Sequence, residues 1–268
     1  MKKYFALLAL IFLPVGITLS HNAGPSETEP QLRKVKNNAF KVGEYLKYRI
    51  HYGIINAGIA ELTVEKKTTR QNRPVYHMVG IGRTTGMAEW FFKTRDRYET
   101  YVDTEAIIPW EFIRDVNEGG YEIKRHIVFN QYNHSAVDLK ANSQTYKIDD
   151  YAQDLLSTFY YARCIDTDTL VLGQEVPVDM FLDHEMYPFR FKYLGKEILD
   201  SKFGEVRCLK FQPLVQSGRV FKEKEGMTLW VSDDANKVPI RLQSELAVGS
   251  IKVDIMDYKN LIRPINFR

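Results

Sequence analysis

The sequence predicts a mainly β protein: a strongly curved antiparallel sheet, as a barrel or half-barrel, with one main helix packed on its concave side. Three observations carry that expectation. Apolar and polar residues alternate along many short segments rich in Tyr, Phe, Val and Ile, the period of a half-buried strand. Turn-forming residues separate those segments, which favours hairpin connections. One segment alone shows a clear helical period. So many strands in one flat layer would leave long edges and bare faces, and curvature or closure removes them.

The polypeptide opens with "MKKYFALLALIFLPVGITLS" (1–20), a basic start followed by an apolar run from Tyr4 to Leu13 that Pro14 and Gly16 break. Small residues at Thr18 and Ser20 offer a cleavage site, so this reads as a secretory signal peptide, with a retained N-terminal anchor as the alternative. The protein is expected to be exported, to the periplasm or envelope, and soluble after cleavage. Residues 21–38, "HNAGPSETEPQLRKVKNN", are polar and carry Pro25 and Pro30, which predicts a flexible linker. A single β-rich domain is expected over 39–262, with 263–268 as a tail.

Within that domain, "EYLKYRIHY" (44–52) sets Leu46, Tyr48, Ile50 and Tyr52 against Lys47, Arg49 and His51. "YEIKRHIVFN" (121–130) and "SIKVDIMDY" (250–258) repeat the alternation. Turns are marked by "NEGG" (117–120), "NQYNHS" (130–135), "ANSQ" (141–144) and "VGS" (248–250). The helix is predicted over 150–163, with Asp149 and Asp150 as N-cap candidates. Leu155, Phe159 and Ala162 recur at helical spacing beside Tyr151, Leu156 and Tyr160, and Arg163 suits the negative end of the dipole. "TGMAEWFFK" (85–93) predicts a shorter helical turn.

The stretch "GEYLKYRIHYGIINAGIAELTVE" (43–65) resembles the opening motif of an exported bacterial family, domain of unknown function 3108. "DLLSTFYYAR" (154–163), "FGEVRCLKFQP" (203–213) and "LWVSDDANKVPIRL" (229–242) resemble it in the same order. The resemblance spans roughly residues 40–258 and implies an exported, β-rich domain; it brings no catalytic residue with it. Physically, "GIINAG" (53–58) reads as the reversal between strands 44–52 and 58–67, with Asn56 tolerating left-handed backbone and Gly53 and Gly58 supplying positive φ or close approach. A phosphate loop would need Lys-Ser or Lys-Thr after Gly58, where Ile59-Ala60 stands.

Candidate chemistry is sparse. "LDHEMY" (182–187) gathers Asp183, His184 and Glu185, but the zincin pattern fails at Pro188, so a hairpin end is expected and no metal. "SDDANK" (232–237) lacks the glycine and terminal glutamate of a calcium loop and reads as a turn. The carboxylates of "KTRDRYETYVD" (93–103) interleave with Lys93, Arg95 and Arg97, as on an ion-paired strand face. No serine sits in a nucleophile elbow, and no motif calls for a cofactor. Catalysis is therefore disfavoured.

Charge narrows the partners. The formal charge is +3, of which Lys2 and Lys3 supply two, leaving +1 after removal of the signal. Nothing in that balance makes a strong electrostatic case for nucleic acid or for an anionic membrane. Charged residues continue through mid-strand and the sequence ends Phe267-Arg268, which argues against an integral membrane barrel. Cys164 and Cys208 either form a disulfide or remain as buried thiols.

The remaining clue is aromatic. Sixteen Tyr, fifteen Phe and three Trp either fill a curved sheet's interior or line a cavity. Trp90, Phe91, Trp110, Phe112, Phe159, Tyr160, Phe189 and Phe191 are the candidate ligand-binding residues. The expected function is a binding or carrier module for a lipid or other apolar or amphipathic envelope ligand. The alternatives are an envelope scaffold or assembly factor that binds protein partners, and a hydrolase of envelope glycan or lipid.

Overall fold

Among the described residues, fourteen antiparallel strands, most of them joined as hairpins, form one curved sheet. The computed structural model describes residues 31–215 and 226–267. The expected signal peptide and most of the expected linker lie outside the described residues. The first half of the sheet comprises β1 (Tyr45–Tyr52), β2 (Ile55–Arg70), β3 (Arg73–Thr84), β4 (Thr94–Asp103), β5 (Pro109–Glu118), β6 (Tyr121–Asn130), β7 (Ser135–Asp138) and β8 (Gln144–Lys147). The second comprises β9 (Glu175–Leu182), β10 (Glu185–Ser201), β11 (Gly204–Val215), β12 (Met227–Ser232), β13 (Pro239–Glu245) and β14 (Ser250–Lys259). Their spatial order is β8-β7-β6-β5-β4-β3-β2-β1-β14-β13-β12-β11-β10-β9, so the first and last strands pair in the middle. Among the described residues two helices interrupt the meander: α1 (Ala88–Phe91) and α2 (Leu155–Cys164).

Curvature brings the two ends of the sheet together without a continuous ladder. Gln153 bridges them: its N–H donates to the Asp179 carbonyl at 2.8 Å, and its own carbonyl accepts from the Phe181 N–H at 2.7 Å. Side chains complete the seam. Phe181 meets Phe129 and Tyr146, His184 Nε2 lies 2.8 Å from Asp138, and Arg114 donates to Asp183 at 3.0 Å. The expected curved sheet is therefore present, as an open sheet with a stitched edge.

Local sequence explains the joints. Gly53 takes φ +52° in the tight β1–β2 turn with Ile54. A Cβ on Gly58 would stand 2.7 Å from the Arg83 carbonyl, so glycine there serves close strand approach. Asn56, expected in the reversal, lies within β2 opposite His51, because the turn needs only two residues. A register shift between Ile50 and His51 also breaks the predicted alternation, turning His51 into a buried position that bonds Asp254.

Residues 32–38, expected in the linker, pack on the sheet. Leu32 joins the Trp110 cluster, Val35 the main core, and the Val35 N–H donates to the Glu105 carbonyl at 2.8 Å. At the other end, Ile265 is buried and Phe267 stacks near Phe203 and Tyr258. Both extensions carry apolar anchors, which explains why the folded unit is wider than 39–262.

Candidate functional site

Helix α2 organises the interior, and its two ends are fixed by different chemistry. Asp154 is the N-cap: its carboxylate accepts from the N–H groups of Leu156 and Ser157, both at 2.7 Å, and Ser157 Oγ accepts from the Asp154 N–H. The Thr100 hydroxyl donates to the second carboxylate oxygen at 2.5 Å. Complete burial pushes the Asp154 pKa up to about 6, outweighing these donors. The helix was expected to begin at residue 150. It begins at Leu155 because the backbone of Gln153 is held by β9.

At the C-terminal end, Arg163 is buried and chelates the buried Glu44, with contacts of 2.6 and 2.9 Å. Its remaining donors reach the carbonyls of Ala39 at 2.9 Å and Asn236 at 3.0 Å. One arginine thus ties α2 to the segment before β1 and to the β12–β13 turn.

The N-terminal half of α2 fills the first half of the sheet. Leu156 and Tyr160 pack with Val64, Met78, Val102 and Phe129 in a buried core. Against the second half the packing is incomplete. There α2 and the segment after it face β9 to β13 across an apolar cleft of about 550 Å³, counting its open mouth. Phe159, Leu170, Val176, Phe191, Phe211 and Leu229 supply its apolar wall. Its few polar side chains are Thr167, Arg163 and Lys237. Arg163 is neutralised by Glu44, whereas no carboxylate among the described residues lies within ion-pair distance of Lys237.

The turn before β13 sets Lys237 in place. Asp234 Oδ1 accepts from the N–H groups of Asn236 at 2.8 Å and Lys237 at 3.1 Å, and Lys237 takes φ +44°. Asp233 is engaged elsewhere, by Lys196 at 3.0 Å and Arg207 at 2.6 Å. "SDDANK" is therefore a turn whose acids shape it and leave the Lys237 ammonium unpaired by them.

Two of the eight candidate aromatics, Phe159 and Phe191, line this cleft. Phe189 touches Phe191, with ring centroids 4.7 Å apart, but is not on the wall. Tyr160 is buried between Phe40 and Phe159. Phe112 belongs to the buried core and borders a smaller space of about 260 Å³ at the seam. Trp110 sits in a separate cluster with Val75 and Tyr101, its indole N–H donating to Asp103 at 3.0 Å. Trp90 and Phe91 lie away from the cleft: α1 projects them into solvent, and no residue of that short helix is buried. Leu170, Val176, Phe211, Leu229 and Lys237 were missed. Their only sequence signal was ordinary strand and turn composition.

Asp183 and His184 form the β9–β10 turn, each at positive φ, and serve the seam. Cys164 and Cys208 are free thiols in different clusters, so the disulfide alternative is not realised. Burial pushes both thiols up to about 12. Among the described residues, no three His, Cys, Asp or Glu side chains assemble into a set able to hold a metal. Nor is any described helix long and apolar enough to cross a membrane.

Comparison with known proteins places this geometry. Residues 47–256 match the family described as "Protein of unknown function (DUF3108)". The chain belongs to that family. Among curated proteins, none matches the sequence. Among solved structures, a β-barrel-like protein of the DUF1849 family from Brucella abortus superposes with a TM-score of 0.51 at 9% identity, over 86% of this chain and 99% of that one. The DUF3108 chain is also similar to a protein proposed to be a lipoprotein from Parabacteroides distasonis, at a TM-score of 0.37 and 12% identity, over 85% and 100% of the two chains. A protein from Bacteroides fragilis proposed to be exported, with a YmcC-like fold, gives 0.35 at 7% identity, over 85% and 100%. At such identity the first of these speaks for the β-barrel-like fold alone.

Proposed function

We propose that this DUF3108 protein is an exported binding or carrier module that holds an apolar or amphipathic ligand in the cleft beside α2. The observation that supports this reading is the apolar wall left uncovered beside α2, from Phe159 across to Phe191, Phe211 and Leu229. The free space within the cleft is about 70 Å³, below the roughly 300 to 1,000 Å³ of small-ligand sites, so a ligand would lie along the apolar wall with part of its surface in the open mouth. Apolar surface so exposed costs stability unless something fills it. Lys237 at the same cleft favours a ligand with an anionic head and an apolar body, such as an acyl chain bearing carboxylate or phosphate.

A fluorescent fatty acid, dansyl-undecanoic acid, tests the assignment. The expected result is saturable binding near one per chain with a blue-shifted emission, weakened at least tenfold by Phe191→Glu. Absence of saturable binding, or equal binding by wild type and Phe191→Glu, would overturn it. Native mass spectrometry of protein purified from its own envelope then identifies the natural occupant.

A further inference from the structure

We propose that the rim formed by the β1–β2, β3–β4, β5–β6 and β13–β14 connections docks on a lipid bilayer interface. This proposal is independent of the cleft and stands without a ligand there. Strand register puts these four connections at one end of the sheet: Tyr52 pairs with Ile251, Gly58 with Thr84, Thr94 with Glu118 and Glu245 with Ser250. The tips also touch. Tyr52 donates to the Val248 carbonyl at 2.9 Å, the Thr85 N–H to the Ala57 carbonyl at 3.1 Å, and Phe92 lies against Gly119.

Large apolar side chains crown this rim. Ile54 is 94% exposed, Phe91 88%, Trp90 86% and Val248 77%, with Met87 and Tyr121 also well exposed. Most of the exposed large apolar side chains among the described residues belong here. Isolated exposed apolar residues are ordinary, but such a concentration on one rim marks an interaction surface. Helix α1 buries none of its residues, so folding gives no reason for a tryptophan and a phenylalanine side by side on it.

The layering of charge identifies the occupant. Residues 52–55, 86–92, 119–121 and 246–249 include one charged side chain, Glu89, and Arg95 neutralises it. Just behind the tips stand Arg83, Lys93 and Lys252, none with a carboxylate of the described residues at ion-pair distance; Glu118 and Glu245 share that level. An apolar outer layer with Trp and Tyr, backed by long cationic side chains, matches the depth profile of a membrane interface. The projections come from separate hairpins, a geometry that lipid accommodates one side chain at a time and a rigid protein partner meets only with matching pockets.

Vesicles of phosphatidylethanolamine and phosphatidylglycerol test this with the purified protein. Wild type is expected to co-sediment, and brominated lipid is expected to quench the fluorescence of Trp90, since Trp110 and Trp230 are buried. The double variant Trp90→Ser/Phe91→Ser is expected to lose partitioning at least tenfold with an unchanged melting temperature. Val171→Ser/Leu172→Ser, which removes exposed apolar groups away from the rim, is expected to keep it. Failure of wild type to co-sediment overturns the proposal. Equal loss in both double variants does too, as does a concentration-dependent dimer abolished by Trp90→Ser/Phe91→Ser, which would assign the rim to a second copy of this chain.

Discussion

Replacing Glu44 by Gln tests whether α2 is held by a buried charge pair. Arg163 is 3% exposed and Glu44 fully buried. The guanidinium donates twice to Glu44, once to the Ala39 carbonyl and once to the Asn236 carbonyl. Glu44→Gln keeps the shape and leaves the cation without its counter-charge. Removing one partner of such a pair costs about 3–5 kcal/mol. For a folded unit of this size each kcal/mol lowers Tm by about 2–4 °C, so a drop of roughly 6–20 °C is expected. Urea unfolding followed by the fluorescence of the buried Trp110 and Trp230 gives the free energy directly. The double variant Glu44→Met/Arg163→Met removes both charges and is expected to lose less than Glu44→Gln alone. A Tm shift under about 2 °C for Glu44→Gln, or a double variant worse than the single one, would refute a dry, charge-paired anchor.

Two further outcomes follow from the titratable groups. The Asp154 carboxyl is raised to about 6, so the folded state holds its proton over a range where the unfolded chain has lost it. Its contribution is full below the unfolded value near 3.8, declines by up to about 1.4 kcal/mol per pH unit as pH rises to about 6, and is flat above. Asp154→Asn keeps a capping oxygen and lacks that slope, so its urea midpoint is expected to gain on wild type between pH 4 and pH 6; a constant difference would refute the assignment. Cys164 and Cys208, both raised to about 12, are expected to react with iodoacetamide at least about a hundredfold more slowly in the native protein than in urea. Mass spectrometry reads this, and rapid native labelling would contradict their burial.

Legibility varied with how local the determining interaction was. Leu46 and Tyr48 announce the inner face of β1 because alternation is a property of neighbours, and the Gly-rich turns are equally local. The bulge at Ile50 and His51 is visible only once β2 is paired. Tyr151 shares helical spacing with the residues of α2, yet the backbone of Gln153 bonds β9, a partner far along the chain that no window around residue 150 contains. The site follows the same rule. Aromatic composition suggested a lined interior, but Trp90 on an exposed tip and Phe191 on the cleft wall have equal claims in the sequence. Lys237 was hidden inside a turn whose aspartates explain themselves. Which side of a sheet a residue faces, and whether an opposing element covers it, are set by long-range closure.

The pairing of β1 with β14 has a consequence for how the chain is made. Leu46 lies opposite Tyr258, and the Asn260 side chain donates to the Gly43 carbonyl at 2.8 Å. Strand β1 therefore finds one partner almost at once, in β2, and waits for the other until β14, some two hundred residues later, has followed. Until then β1 presents a bare ladder of N–H and C=O groups, the template on which other chains pair. Closing so long a loop is slow, and the exposed edge lasts for all of that time. The centre of the finished sheet thus joins the first and the last of the described strands, and the interval between them is when the edge of β1 stands open.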